Sequence, residues 1–122
     1  SNLNQLSELT NKDGIIISNH GGRASETGRG TLESLPEMAA VINKKIPLLI
    51  DGGFRRGTDI FKALALGADA ICIGRPYIWG LASFGQEGVE AVLQILRDEL
   101  AMVMGQAGTR TLGDINRSYL SV

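Results

Sequence analysis

Three short apolar runs constrain this chain more than any other feature: Gly14-Ile15-Ile16-Ile17-Ser18, Ile46-Pro47-Leu48-Leu49-Ile50-Asp51 and Ala70-Ile71-Cys72-Ile73-Gly74. None alternates apolar with polar residues. Short unbroken runs of this kind suit strands buried on both faces, as in a parallel sheet. Each leads directly into glycine and a charged residue.

Helical patterns separate the runs. Ser34-Leu35-Pro36-Glu37 reads as a capping box with proline in the first turn, followed by a stripe of Leu35, Met38, Val41 and Ile42. Thr58 is placed to cap a second helix that carries Ile60, Phe61, Leu64 and Ala65 and stops at Gly67. Val89, Val92, Leu93, Leu96, Leu100 and Val103 repeat at three- and four-residue steps and predict a long last helix, ended by Gly105. Leu3, Leu6 and Leu9 suggest the end of an earlier helix. Alternation of strand and helix implies βα units and an α/β fold with a parallel sheet. Two architectures satisfy it, an open doubly wound sheet and part of a βα barrel. A full barrel takes roughly 250 residues and eight strands, against 122 residues here. The glycine-plus-charge cluster after every strand favours the barrel, because barrel enzymes build their sites on the loops that follow the strands.

Composition excludes some partners. A formal net charge of −1 with 20% charged residues gives no reason to expect nucleic acid or an anionic membrane. No apolar run is long enough to span a bilayer, and no signal peptide is expected. The lone cysteine, Cys72, lies inside an apolar run and reads as a small buried hydrophobe, so a reducing, cytoplasmic location is the default. The chain opens on Ser1-Asn2 without methionine, and is expected to be a piece of something longer.

The residues that carry chemistry sit at the strand ends. After the first run comes Ser18-Asn19-His20-Gly21-Gly22-Arg23. His20, the only histidine, suits proton transfer near neutral pH. Arg23 offers a planar fork of donors that matches a carboxylate. One histidine and no Cys/His spacing give no metal site. After the second run comes Asp51-Gly52-Gly53-Phe54-Arg55-Arg56-Gly57, and after the third Gly74-Arg75-Pro76. Glycine turns expose backbone N–H groups and arginines add positive charge, so the two clusters read as an anion cradle, at the loops where barrels commonly hold phosphate. Asp51 can pair with a neighbouring arginine or accept from sugar-like hydroxyls. Tyr77, Trp79 and Phe84 are expected to pack against the last helix. Thr109, Arg110 and Arg117 are expected at the surface or in an interface.

These motifs together, with the intervening Thr58-Asp59-Ile60-Phe61-Lys62-Ala63-Leu64-Ala65-Leu66-Gly67-Ala68, closely resemble the FMN-dependent α-hydroxy-acid dehydrogenases, a family that includes glycolate, lactate and mandelate enzymes. The similarity runs from about Leu6 to Tyr119. It implies the C-terminal part of one (β/α)8 barrel domain over residues 1–122, with FMN at the barrel mouth. By resemblance, His20 is the active-site base and also touches substrate, Arg23 binds the substrate carboxylate, and Ser18 lies at the flavin ring. Asp51, Gly52, Gly53, Phe54 and Arg55 match the stretch that contacts ribityl and phosphate; Gly74 and Arg75 complete the phosphate site. The implied reaction oxidises an L-2-hydroxy acid to a 2-oxo acid. The family's first barrel half supplies a lysine, tyrosines, an aspartate and a second arginine to the site, and none has a matching position here. The piece is therefore expected to hold FMN weakly, to turn nothing over, and to self-associate through its unpaired edges, whereas the parent is expected to be a homo-oligomer. The alternatives are a different phosphate-binding barrel enzyme or a non-catalytic phosphate-binding half-barrel.

Overall fold

The computed structural model describes residues 14–18 and 30–120. The expected helix over Leu3, Leu6 and Leu9 lies outside them, as do His20 and Arg23. Three parallel strands, β1 (Ile15–Ile17), β2 (Leu48–Ile50) and β3 (Ala70–Ile71), form one sheet in the order β1-β2-β3. Between them run α1 (Thr31–Ile42) and α2 (Gly57–Ala65); α3 (Arg75–Ala107) and two 3₁₀ turns, Leu112–Asp114 and Arg117–Tyr119, follow. The strands are shorter than the apolar runs. Single backbone hydrogen bonds extend the pairing by one residue, to Pro47 at one end and to Asp51 and Cys72 at the other.

Strand register explains the core. Ile17 pairs with Ile50 and Ile50 with Ile71, so these side chains point the same way. Ile17, Leu48 and Ile50 are buried on this face under Leu35 and Ile42 of α1, Ile60 and Ala63 of α2 and Leu96 of α3. The opposite face holds Ile16, Leu49 and Ala70 in register, and Ile16 is 59% exposed. Burial on both faces, the expectation from the unbroken runs, is therefore corrected: the described helices cover one face only. Consecutive strand order with every helix on the same side is the winding of a barrel, not of a doubly wound sheet. At the opposite end from the glycine turns, Asp69 fastens β2 to β3. Its backbone N–H donates to the Leu48 carbonyl (2.7 Å), and its carboxylate accepts the Leu48 N–H (2.8 Å) and pairs with Lys44 (3.1 Å).

Several helix boundaries differ from the sequence expectation. α1 starts a turn before Ser34, leaving Pro36 inside the helix. Proline there cannot donate to the carbonyl four residues earlier. Tertiary contacts outweigh that loss: Thr31 is buried and its hydroxyl donates to the Asp51 carbonyl (2.6 Å), and Leu35 is fully buried. At α2 the N-cap position is Arg56 rather than Thr58, which is exposed, and the Asp59 carboxylate reaches back to accept the backbone N–H groups of Arg55 (3.2 Å) and Arg56 (3.1 Å). Gly67 does end α2, at φ 117°, and a Cβ there would press on Ala39 of α1 at 2.7 Å.

The last helix is longer than its periodic stripe. It breaks at Phe84 and Gly85 (φ 63°), so segments 75–83 and 86–107 cross where Gly80 meets Gly88 backbone to backbone. It ends at Gly108 (φ 78°) rather than Gly105, which is still helical. In its stripe, Leu96 is buried but Leu93 is half exposed. Tyr77, Trp79 and Phe84 do not pack as expected; they are 40%, 50% and 78% exposed. Cys72 is only partly buried. Thr109 is buried, its hydroxyl donating to the Met104 carbonyl, while Arg110 and Arg117 are exposed. The tail packs on α2 through a second cluster of Phe61, Ala65 and Ile115, with Tyr119 edge-on to Phe61 at 5.9 Å. Among the described residues no helix is long and apolar enough to cross a membrane.

Candidate functional site

Parallel pairing carries the three strand ends to one edge. Asp51 donates its backbone N–H to the Ile17 carbonyl (3.0 Å) and Cys72 to the Ile50 carbonyl (2.8 Å). Ser18, Asp51 and Cys72 are thus consecutive along one rim, each one residue beyond its strand. Asp51 is further held through its own carbonyl by Thr31.

Beyond Asp51 the chain turns sharply through Gly52 (φ 104°) and Gly53 (φ 76°). Left-handed backbone at two successive positions disfavours any side chain with a Cβ. Phe54 is buried in the core and anchors the turn, so only its backbone is available at the rim. Arg55 is exposed and lies over the Trp79 ring, its guanidinium carbon 5.4 Å from the centroid. No carboxylate pairs with Arg55 among the described residues.

Arg56, one residue on, is committed to structure. Its Nε donates to both Glu99 carboxylate oxygens at 2.9 Å, and Glu99 also accepts the Gly57 N–H at 3.1 Å. The Arg56 hydrogen bond, then the Gly57 N–H, holds the Glu99 carboxyl below its ordinary value, and the same pair raises the Arg56 guanidinium. Asp59 and Glu99 therefore occupy the N-terminus of α2.

The N-terminus of α3 is built differently. Its cap is Gly74, which has no side chain to bond into the first turn, and Pro76 sits just inside it. Among the described residues, a Cβ at Gly74 or at Gly53 would touch nothing within 4 Å. The positive end of this helix thus lies uncrowded by the described residues on the rim, beside Arg75, and Trp79 of the same helix meets Arg55 of the preceding loop. A helix N-terminus, two glycine turns and neighbouring arginines are the features that suit an anion.

The model of one family, described as FMN-dependent dehydrogenase, matches residues 8–122. The chain belongs to this family. It is 52% identical over 108 residues to a 2-hydroxyacid oxidase of Dictyostelium discoideum, covering 88% of this chain and 28% of that protein. It is 50% identical to a peroxisomal (S)-2-hydroxyacid oxidase of Arabidopsis thaliana, covering 88% and 30%. Among solved structures it matches a lactate oxidase of Pediococcus acidilactici at 42% identity and a TM-score of 0.89, covering 94% of this chain and 33% of that one. A mandelate oxidase variant solved with (S)-mandelic acid matches at 38% identity and a TM-score of 0.88, covering 94% and 35%. The chain thus spans about a third of its relatives, as a three-stranded piece of their barrel fold.

Of the expected site residues, Ser18, Asp51, Gly52, Gly53, Arg55, Gly74 and Arg75 lie along the rim. Phe54 points its side chain into the core, and His20 and Arg23 fall outside the described residues. Sequence reading missed Trp79 as a partner of Arg55. Its spacing of four from Arg75, one helical turn, was the available signal. It also missed Glu99, for which no local signal exists: 43 residues separate it from Arg56.

Proposed function

We propose that this chain supplies the proton-accepting, carboxylate-binding and phosphate-binding parts of an FMN-dependent oxidation of an L-2-hydroxy acid to its 2-oxo acid. The observation that carries the reading is that strand pairing brings Ser18, Asp51 and Cys72 to one rim, from which the Gly52-Gly53 turn, Arg55 and the Gly74-capped helix follow in the chain. In the site we propose, FMN accepts the two electrons of the oxidation.

The residues present fit such a cofactor. Gly53 and Gly74 leave space where a Cβ would otherwise project. The phosphate would be held by the N–H groups at the start of α3 with Arg55 and Arg75, because the start of α2 is already filled by Asp59 and Glu99. Asp51 would accept from ribityl hydroxyls, and Ser18 would lie at the ring. Arg23 grips the substrate carboxylate in a two-point contact and orients the hydroxyl-bearing carbon. His20 takes the substrate proton.

The domain is the C-terminal portion of one barrel, and the parent assembles as a homo-oligomer. A reducing compartment, cytoplasm or peroxisome, fits the lone cysteine. With about a third of the relatives' length, the chain by itself binds FMN weakly and does not turn over. The test is to mix it with FMN and L-lactate, glycolate or L-mandelate without oxygen and follow flavin absorbance. The expected result is no bleaching by the 122-residue chain and rapid bleaching by a protein of the relatives' length that carries it. Absence of bleaching in the longer protein would contradict the proposed reaction.

A further inference from the structure

Trp79 is the only tryptophan in the chain. It stands half exposed on the first segment of α3, and neither core cluster includes it. One helical turn separates it from Arg75, so the two share a face of that segment. Arg55 comes from the neighbouring loop and lies over the indole, 5.4 Å from its centroid. An exposed arginine has several freely rotating bonds and holds no single position without a partner. A carboxylate partner would fix it but would cancel its charge toward an anion. An aromatic face fixes it and leaves the charge uncancelled.

We propose that Trp79 is the positioning residue of the anion site, a platform that holds the Arg55 guanidinium on the side of α3 that bears Arg75. It acts through Arg55 and touches no reacting atom. This inference rests on the phosphate reading of the rim, so its test separates the two. Dissociation constants for FMN and for riboflavin, which lacks the phosphate, are measured by flavin fluorescence for the chain and four variants: Trp79→Leu, Trp79→Phe, Arg55→Ala and the Arg55→Ala/Trp79→Leu pair.

With the platform in place, Trp79→Leu weakens FMN roughly 2- to 5-fold, the range of an exposed cation–π contact. Riboflavin binding stays unchanged, and Trp79→Phe recovers most of the loss. On the Arg55→Ala background, Trp79→Leu changes nothing more. Tryptophan emission, which reports position 79 alone, shifts in Arg55→Ala. Equal weakening of both flavins by Trp79→Leu, no weakening of FMN, or additive losses in the pair would each overturn the inference. So would emission that Arg55→Ala leaves untouched. If the unsubstituted chain fails to prefer FMN to riboflavin, or Arg55→Ala leaves FMN affinity unchanged, the phosphate reading itself fails, whatever Trp79 does.

Discussion

Arg55 and Arg56 are chemically identical neighbours with opposite roles. Arg56 is spent on Glu99, whereas Arg55 keeps its charge for the rim. Composition could not separate them. What separates them is a carboxylate 43 residues away and an indole 24 residues away, both brought in by α3. The glycines were more legible: Gly52 and Gly53 follow an apolar run, and both adopt the left-handed conformation that such a turn needs. Gly53→Ala is expected to destabilise the fold by about 1–2 kcal/mol from backbone strain alone, since no neighbour crowds the site. A denaturant titration measures this. Leu35, with no exposed surface, is the opposite case. Leu35→Ala is expected to cost about 2–5 kcal/mol by leaving a cavity between α1 and the sheet, read in the same titration; a loss under 1 kcal/mol would contradict its place in the core.

Among the elements, the order of strands and helices was readable because apolar runs and 3.6-residue stripes are local signals. The boundaries were not, because distant partners set them. The hydroxyl of Thr31 reaches Asp51 and starts α1 early; Arg56 rather than Thr58 holds the cap position of α2, closed by the Asp59 carboxylate; the break at Gly85 lets α3 fold across itself. Gly88→Ala places a methyl group on the Gly80 carbonyl, and is expected to pry the two segments of α3 apart at about 1–3 kcal/mol. Loss of helical circular dichroism at lower temperature measures it. The junction of α2 with α3 carries a pH dependence. The Glu99 carboxyl lies below its ordinary value of 4.5 when folded, held there by Arg56 and the Gly57 N–H. Its contribution is fully present above that ordinary value and is lost as pH falls through the lowered folded one. Unfolding midpoints measured downward from about pH 5 are expected to fall less steeply for Glu99→Gln than for the unsubstituted chain. Equal slopes would show that the pair stabilises nothing.

As a whole molecule, the chain carries a mismatch between its sequence and its surroundings. Its strands are composed for burial on both faces, yet Ile16 is 59% exposed on the face that the described helices leave bare. The barrel relatives explain the composition: the chain spans about a third of them, and the remaining strands close the sheet upon that face. The candidate site divides the same way. The glycine turns of the proposed phosphate end were readable from Gly-Arg clusters after strands, and the proposed substrate end rests on a His-Gly-Gly-Arg motif outside the described residues. The 122-residue chain is expected to self-associate through the bare face and the free sheet edges. Light scattering over a concentration series tests this, and a monodisperse monomer would count against it.

The proposed reaction depends most on one imidazole. In a protein of the relatives' length that carries this segment, rapid anaerobic mixing with an L-2-hydroxy acid reads the rate of flavin bleaching for the unsubstituted form and for His20→Ala. The expected result is retained FMN with bleaching slowed by about 10²–10⁴-fold. Bleaching at an unchanged rate in His20→Ala would contradict the role given to this strand end.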